Sequence, residues 1–173
     1  MLPKHVAALG SSFAAGPGIP PQTNRTAMRS LRNYPNLLAE RCGAKITDLT
    51  VSGATLQNVL SEPQHFLAAT FAPQIELLAK EAGVEDVDLV TLTGGGNDIG
   101  YIGGMIEDGL YPSYLGQWKS EPSALTTEQL AERFITVIDR VHEIAPKARI
   151  LLVEYLTVLG PCLLYTSPSP RDS

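Results

Sequence analysis

The apolar residues of this chain gather into four short runs, separated by stretches in which they recur every three or four positions. The runs are Val6 to Leu9, Ile46 to Val51, Val87 to Thr93 and Arg149 to Leu156. Runs of this length, rich in Val, Ile and Leu and bounded by small or polar residues, fit strands buried on both faces. Between them, Leu37, Leu38 and Cys42 form one helical stripe. Ile75, Leu78 and Ala82 form a second, in a helix over Gln74 to Ala82, and Leu130, Phe134, Val137, Ile138, Val141 and Ile144 form a third. Punctuation agrees with this pattern. Asn33 is placed to cap the first helix, Pro35 suits its first turn and Gly43 ends it; Gly83 closes the second; Thr127 is placed to cap the third and Pro146 stops it.

Strand and helix therefore alternate. Parallel strands joined by helical crossovers predict an α/β fold: a three-layer α/β/α sandwich with a flavodoxin-like parallel sheet. Three segments lack periodicity. Pro17 to Ser30 is expected to be a loop over the sheet edge, and Glu62-Pro63 breaks the chain after a short helical piece at Gln57 to Leu60. Gly103 to Ser123 is irregular, and with Tyr101, Tyr111, Tyr114 and Trp118 it either anchors a long loop or walls a pocket, the anchor being favoured because loops of this length need packing to be ordered.

The first three predicted strands share one feature, a turn of small residues at the carboxyl end. Val6–Leu9 runs into Gly10-Ser11-Ser12, the second strand into Ser52-Gly53-Ala54, and the third into Gly94-Gly95-Gly96-Asn97-Asp98. In an open parallel sheet, all three turns lie at one edge, where such sheets bind ligands. A serine hydroxyl there is a candidate nucleophile for acyl transfer. That reaction also needs hydrogen-bond donors where the tetrahedral intermediate develops its negative oxygen, and the Ser12 and Gly53 backbone N–H groups and the Asn97 amide are suited to the task.

Composition narrows the field. The chain has 173 residues, 44% hydrophobic and 18% charged, enough for one domain with a core, and its net charge of -5 offers no basic stripe for nucleic acid. Cys42 and Cys162 belong to no CxxC or Cys/His spacing, so neither structural zinc nor a disulfide framework is expected, and acyl transfer by a serine needs no metal or organic cofactor. Met1 to His5 lacks the regions of a signal peptide, and no apolar run reaches the roughly 18 residues of a membrane span, so the chain as written is expected in the cytoplasm, with secretion left open. Oligomeric state has no signature. An alternative from another class is a phosphate- or nucleotide-binding module using the Gly94–Gly96 turn as an anion nest, but neither a GxGxxG after the first strand nor a P-loop accompanies it.

On these turns the sequence resembles the SGNH hydrolases, or GDSL esterase/lipase family, over residues 5 to 161. Gly10-Ser11-Ser12 corresponds to the family's first block, Ser52-Gly53-Ala54 to its second and Gly95-Gly96-Asn97-Asp98 to its third. The resemblance implies a serine esterase or lipase acting on a small-molecule ester, with Ser12 as nucleophile and Gly53 and Asn97 completing the oxyanion hole. Two departures stand out: Ser11 replaces the aspartate usual in the first block, and no Asp-x-x-His block follows the fourth strand.

Asp139-Arg140-Val141-His142 spells such a block, but inside the helix before the fourth strand. His142 is therefore expected about a strand's length, roughly 17 to 20 Å, from Ser12, whereas a general base must come within about 3 Å of the proton it takes. His5 starts the first strand, at the wrong edge, and His65 stands beside the Glu62-Pro63 break. The tail from Cys162 to Ser173 resembles a translated sequencing adaptor, the alternative being a Ser/Pro-rich disordered terminus. The expectation is a domain over 1–161 that lacks its last strand or strands, its final helix and its catalytic Asp/His pair, and a chain that is inactive and prone to aggregate as it stands.

Overall fold

In a computed structural model the chain is described for residues 2–66, 69–101 and 125–155. The centre is a four-stranded parallel sheet made of β1 (His5–Gly10), β4 (Lys45–Asp48), β7 (Leu89–Thr93) and β8 (Arg149–Leu152), in the order β4-β1-β7-β8. The chain moves outward from β1 to β4, then returns past β1 to β7 and β8. That reversal creates a crevice between the carboxyl ends of β1 and β7, the topological switch point of a flavodoxin-like sheet.

Side chains alternate across the sheet and dictate its layers. Ala7, Leu9, Val90 and Leu92 face α3 (Leu56–Leu60), α4 (Gln74–Ala79) and α5 (Thr127–Ile144), packing against Leu56, Val59, Ile75, Leu78, Val137 and Val141. On the other face Val6 and Leu89 meet Leu38 and Ala39 of α2 (Tyr34–Cys42). Among the described residues, no helix is long and apolar enough to cross a membrane.

The caps follow local chemistry. Asn33 accepts a hydrogen bond from the Asn36 N–H, and Gly43 ends α2 in the left-handed conformation. Leu37, predicted to face the core, is 42% exposed, because α2 turns Pro35 and Ala39 inward instead. The cap of α5 is Thr126 rather than Thr127: Thr126 Oγ accepts from Gln129 N–H while the Gln129 side-chain Oε1 accepts from the Thr126 N–H, a reciprocal capping box.

Other differences come from hydrogen bonds between distant residues. The predicted loop over 17–30 contains a small hairpin, β2 (Gln22–Asn24) with β3 (Arg29–Ser30), turned where Asn24 Oδ1 accepts from Thr26 Oγ and Ala27 N–H. The stretch after Glu62-Pro63 folds into a second hairpin, β5 (Gln64–Phe66) with β6 (Ala69–Phe71). β4 stops at Asp48, short of Val51, because the Asp48 carboxylate accepts from Thr50 N–H and Oγ and bends the chain. α4 ends at Ala79, and β7 begins at Leu89, after a short 3₁₀ turn at Val84–Asp86 that follows Gly83. β8 ends at Leu152. The predictions for Tyr111, Tyr114, Trp118 and the tail from Cys162 lie outside the described residues.

Candidate active site

Gly10 is where the first turn becomes possible. Its φ is 130°, and a Cβ there would lie 2.1 Å from the Thr93 carbonyl oxygen, so β1 and β7 approach too closely for any side chain. Buried Gln74 grips the same residue, its Oε1 accepting from Gly10 N–H at 2.7 Å and its Nε2 donating to Gly10 O at 3.0 Å. Ser11 N–H then donates to Thr93 O at 2.9 Å, and the chain enters the single-turn helix α1 (Ser12–Ala15). Ser12 stands at its start, half-buried at the crevice. Among the described residues, neither its hydroxyl nor its N–H has a hydrogen-bond partner.

The second turn is tied to the first, since Val51 N–H donates to Gly10 O at 3.1 Å. Gly53, exposed and with φ 81°, is flanked by Phe66 and by Gln64, whose Nε2 donates to Ser52 O at 2.8 Å. The β5–β6 hairpin thus shapes this turn. The third turn reaches back to the second: Asn97 Nδ2 donates to Ala54 O at 2.8 Å. One amide hydrogen fixes the side chain, and among the described residues nothing takes the other. Asp98, next in sequence, is buried and structural. Its Oδ2 accepts from Leu56 N–H at 2.9 Å and its Oδ1 from Arg133 Nη1 at 2.8 Å, joining the turn to the start of α3 and to α5.

The structure therefore brings the turns that carry Ser12, Gly53 and Asn97 to one edge of the sheet, joined by hydrogen bonds. It brings no histidine there, and all three histidines of the chain are described. His5 lies at the opposite end of β1, its Nε2 2.9 Å from Thr47 Oγ; burial, reinforced by the Lys45 charge, pushes its pKa down against the opposing pull of Asp88 and Glu81. His142 is exposed in the last turn of α5, just before β8 starts at the far edge. His65 alternates away from Gln64 and Phe66, the two residues that touch Gly53, and pairs with Thr70 Oγ at 3.0 Å.

Three contributors had no local signature. Gln74 shares a helix face with Leu78, and a polar residue on a core stripe was the available hint. Tyr34 reaches under the crevice to Thr93, Oη to Oγ at 2.7 Å, and burial raises its phenol pKa so that it stays protonated. Tyr155, beyond β8, places its hydroxyl 2.9 Å from Ser11 Oγ and 3.2 Å from Gly96 N. That last contact also bears on anion binding. The Gly94-Gly95-Gly96 turn packs on Leu56, Phe134 and Tyr155, and the Gly96 N–H is already taken, so the turn is not an open nest. Among the described residues, no group of three or more His, Cys, Asp or Glu converges as a metal site.

The sequence pattern of the GDSL-like lipase/acylhydrolase family matches residues 8–173. A relative, Lipase 2 of Streptomyces coelicolor (strain ATCC BAA-471 / A3(2) / M145), is 38% identical over 96 residues, which are 53% of this chain and 28% of that protein. The fold is similar to that of an extracellular lipase from Streptomyces rimosus, with a TM-score of 0.63 and 23% identity, over 95% of this chain and 66% of the other. It is also similar to a phospholipase A1 from Streptomyces albidoflavus NA297, with a TM-score of 0.61 and 22% identity, over 93% and 64% of the two chains. The chain thus spans little more than a quarter of the curated relative's length and just under two thirds of each solved chain.

Proposed function

This chain belongs to the GDSL-like lipase/acylhydrolase family, and from that membership we propose that it is the serine-bearing part of a carboxylic ester hydrolase working through an acyl-enzyme on Ser12. The supporting observation is the join between turns: Ser12 opens α1 at the switch point, while Asn97 is held by Ala54 with its second amide hydrogen taken by no described residue. In this reading Ser12 Oγ attacks the ester carbonyl. The developing oxyanion is met by the N–H groups of Ser12 and Gly53 and by the Asn97 amide, the alcohol leaves, and water then releases the acid.

The relatives' names, lipase and phospholipase A1, make a lipid ester the first substrate class to try, followed by short-chain esters and acetylated sugars. The general base is not among His5, His65 and His142. We propose that it comes from the gene product outside these 173 residues, and that the 173 residues alone retain only the residual activity of an oxyanion hole, about 10³- to 10⁴-fold over water.

The test is to treat the product of the complete gene with a fluorescent phosphonate and with nitrophenyl esters, beside its Ser12→Ala variant and the 173-residue chain. Labelling and hydrolysis that vanish in Ser12→Ala, and fall steeply in the 173-residue chain, are expected. Labelling that persists in Ser12→Ala, or a complete product with no esterase activity, overturns the assignment.

A further inference from the structure

Resting on that reading, we infer that Tyr155 is a positioning residue of the ester-cleaving site, setting the separation between the nucleophile Ser12 and the oxyanion donor Asn97. Its contacts fall on the immediate neighbours of those two residues. Its hydroxyl is 2.9 Å from Ser11 Oγ, and its ring meets Phe13 edge-on with centroids 4.5 Å apart, so it touches the residues before and after Ser12. The same hydroxyl accepts from the N–H of Gly96, the residue before Asn97, at 3.2 Å. Tyr101, which follows the third turn, also meets the ring edge-on, with centroids 5.8 Å apart.

The surroundings are built for this ring. A Cβ on Gly96 would lie 2.7 Å from Tyr155 Cζ, so glycine there provides the notch that the phenol fills. Ser11 stands at the N-cap of α1, where a serine hydroxyl ordinarily accepts from a backbone N–H of the first turn. Here it makes no capping bond and instead turns to Tyr155. Ser11 is fully buried, so a hydroxyl without that partner would be costly. Because Gly96 N–H occupies one lone pair of the phenol oxygen, the phenol hydrogen is free to donate to Ser11 Oγ, and one side chain bridges both turns. Small errors in the placement of reacting groups cost large factors in rate, which is why a tie between the turns matters to catalysis.

The experiment compares Tyr155→Phe, which keeps the ring and removes the hydroxyl, with Ser11→Ala, which cuts the same bond from its other end. In the complete gene product, each is expected to lower kcat about tenfold with KM nearly unchanged, the size of effect that one lost buried hydrogen bond supports. The double variant should lose no more than Tyr155→Phe alone, because that variant already removes the bond that Ser11→Ala cuts. Independently of catalysis, amide exchange followed by NMR should show the Gly96 N–H exchanging about tenfold faster in Tyr155→Phe while the β7 amides stay protected.

An unchanged Gly96 exchange rate overturns the tie. Faster exchange with unchanged kcat overturns the positioning role and leaves Tyr155 a packing residue. Should Tyr155→Phe lose its fold, Ser11→Ala carries the kinetic comparison, since it cuts the Ser11 bond and leaves the Gly96 bond in place, and an unchanged kcat there overturns the positioning role. A complete product with no Ser12-dependent hydrolysis overturns the esterase reading and the positioning role together, and the Gly96 exchange rates would then report the tie alone.

Discussion

At Gly10 two demands meet that no other residue satisfies. The φ of 130° lies where L-residues are strained, and the 2.1 Å gap from an added Cβ to Thr93 O involves backbone that cannot step aside. Gly10→Ala is therefore expected to destabilise the fold by more than about 3 kcal/mol, combining backbone strain with overpacking. Denaturant unfolding checks this: a midpoint within error of wild type would mean that β1 and β7 separate without cost. That a glycine turns the chain there was legible from the sequence. Its clamp by Gln74, 64 positions away, was not, because a glutamine at a helix start reads the same whether its amide faces solvent or another strand.

At the scale of elements, the third turn is held in place by Asp98, which ties β7 to α3 and α5 together. The Asp98 side chain is fully buried, while Arg133 remains 29% exposed. Asp98→Asn keeps the shape but offers one acceptor to two donors, so either Leu56 N–H or Arg133 is left facing an NH₂ group. A loss of about 2–3 kcal/mol is expected, below the full effect of breaking a wholly buried pair because water reaches the arginine. Thermal unfolding measures it, and an unchanged melting temperature would show that the α3 start and α5 hold position without the carboxylate. The glycines and Asn97 marked this turn from the sequence alone, but the role of Asp98 depends on where two other elements arrive.

For the whole molecule, the consequence of the order β4-β1-β7-β8 is that β8 is an edge strand among the described residues. α2 lies over β1 and β4 and does not reach it, so Leu151 on that face is 48% exposed, and Leu152, on the α5 face at the end of the edge strand, is 47% exposed. An apolar edge is a template for pairing between molecules. Leu151→Lys is expected to raise several-fold the concentration at which light scattering of the 173-residue chain departs from that of a monomer, with stability changed by less than about 0.5 kcal/mol. If scattering is indifferent to the lysine, the edge is not the route to association.

Much of this protein was decided locally. Period and punctuation set the four sheet strands, the helices α2, α4 and α5 and the glycine turns, because buried strands need apolar runs and helices need stripes and caps. The same logic placed Ser12, Gly53 and Asn97 at one sheet edge and kept His142 away from it, since a helix that precedes a parallel strand must end at the opposite edge. Local pattern failed where a residue's partner lies far along the chain. The β2–β3 and β5–β6 hairpins lack the alternation that marks a strand, the bend at Asp48 turns on one carboxylate, and Tyr155 looks like any aromatic after a strand. What Tyr155 touches, 144 positions back at Ser11 and 59 back at Gly96, was settled only when the parallel sheet brought the ends of β1, β7 and β8 side by side.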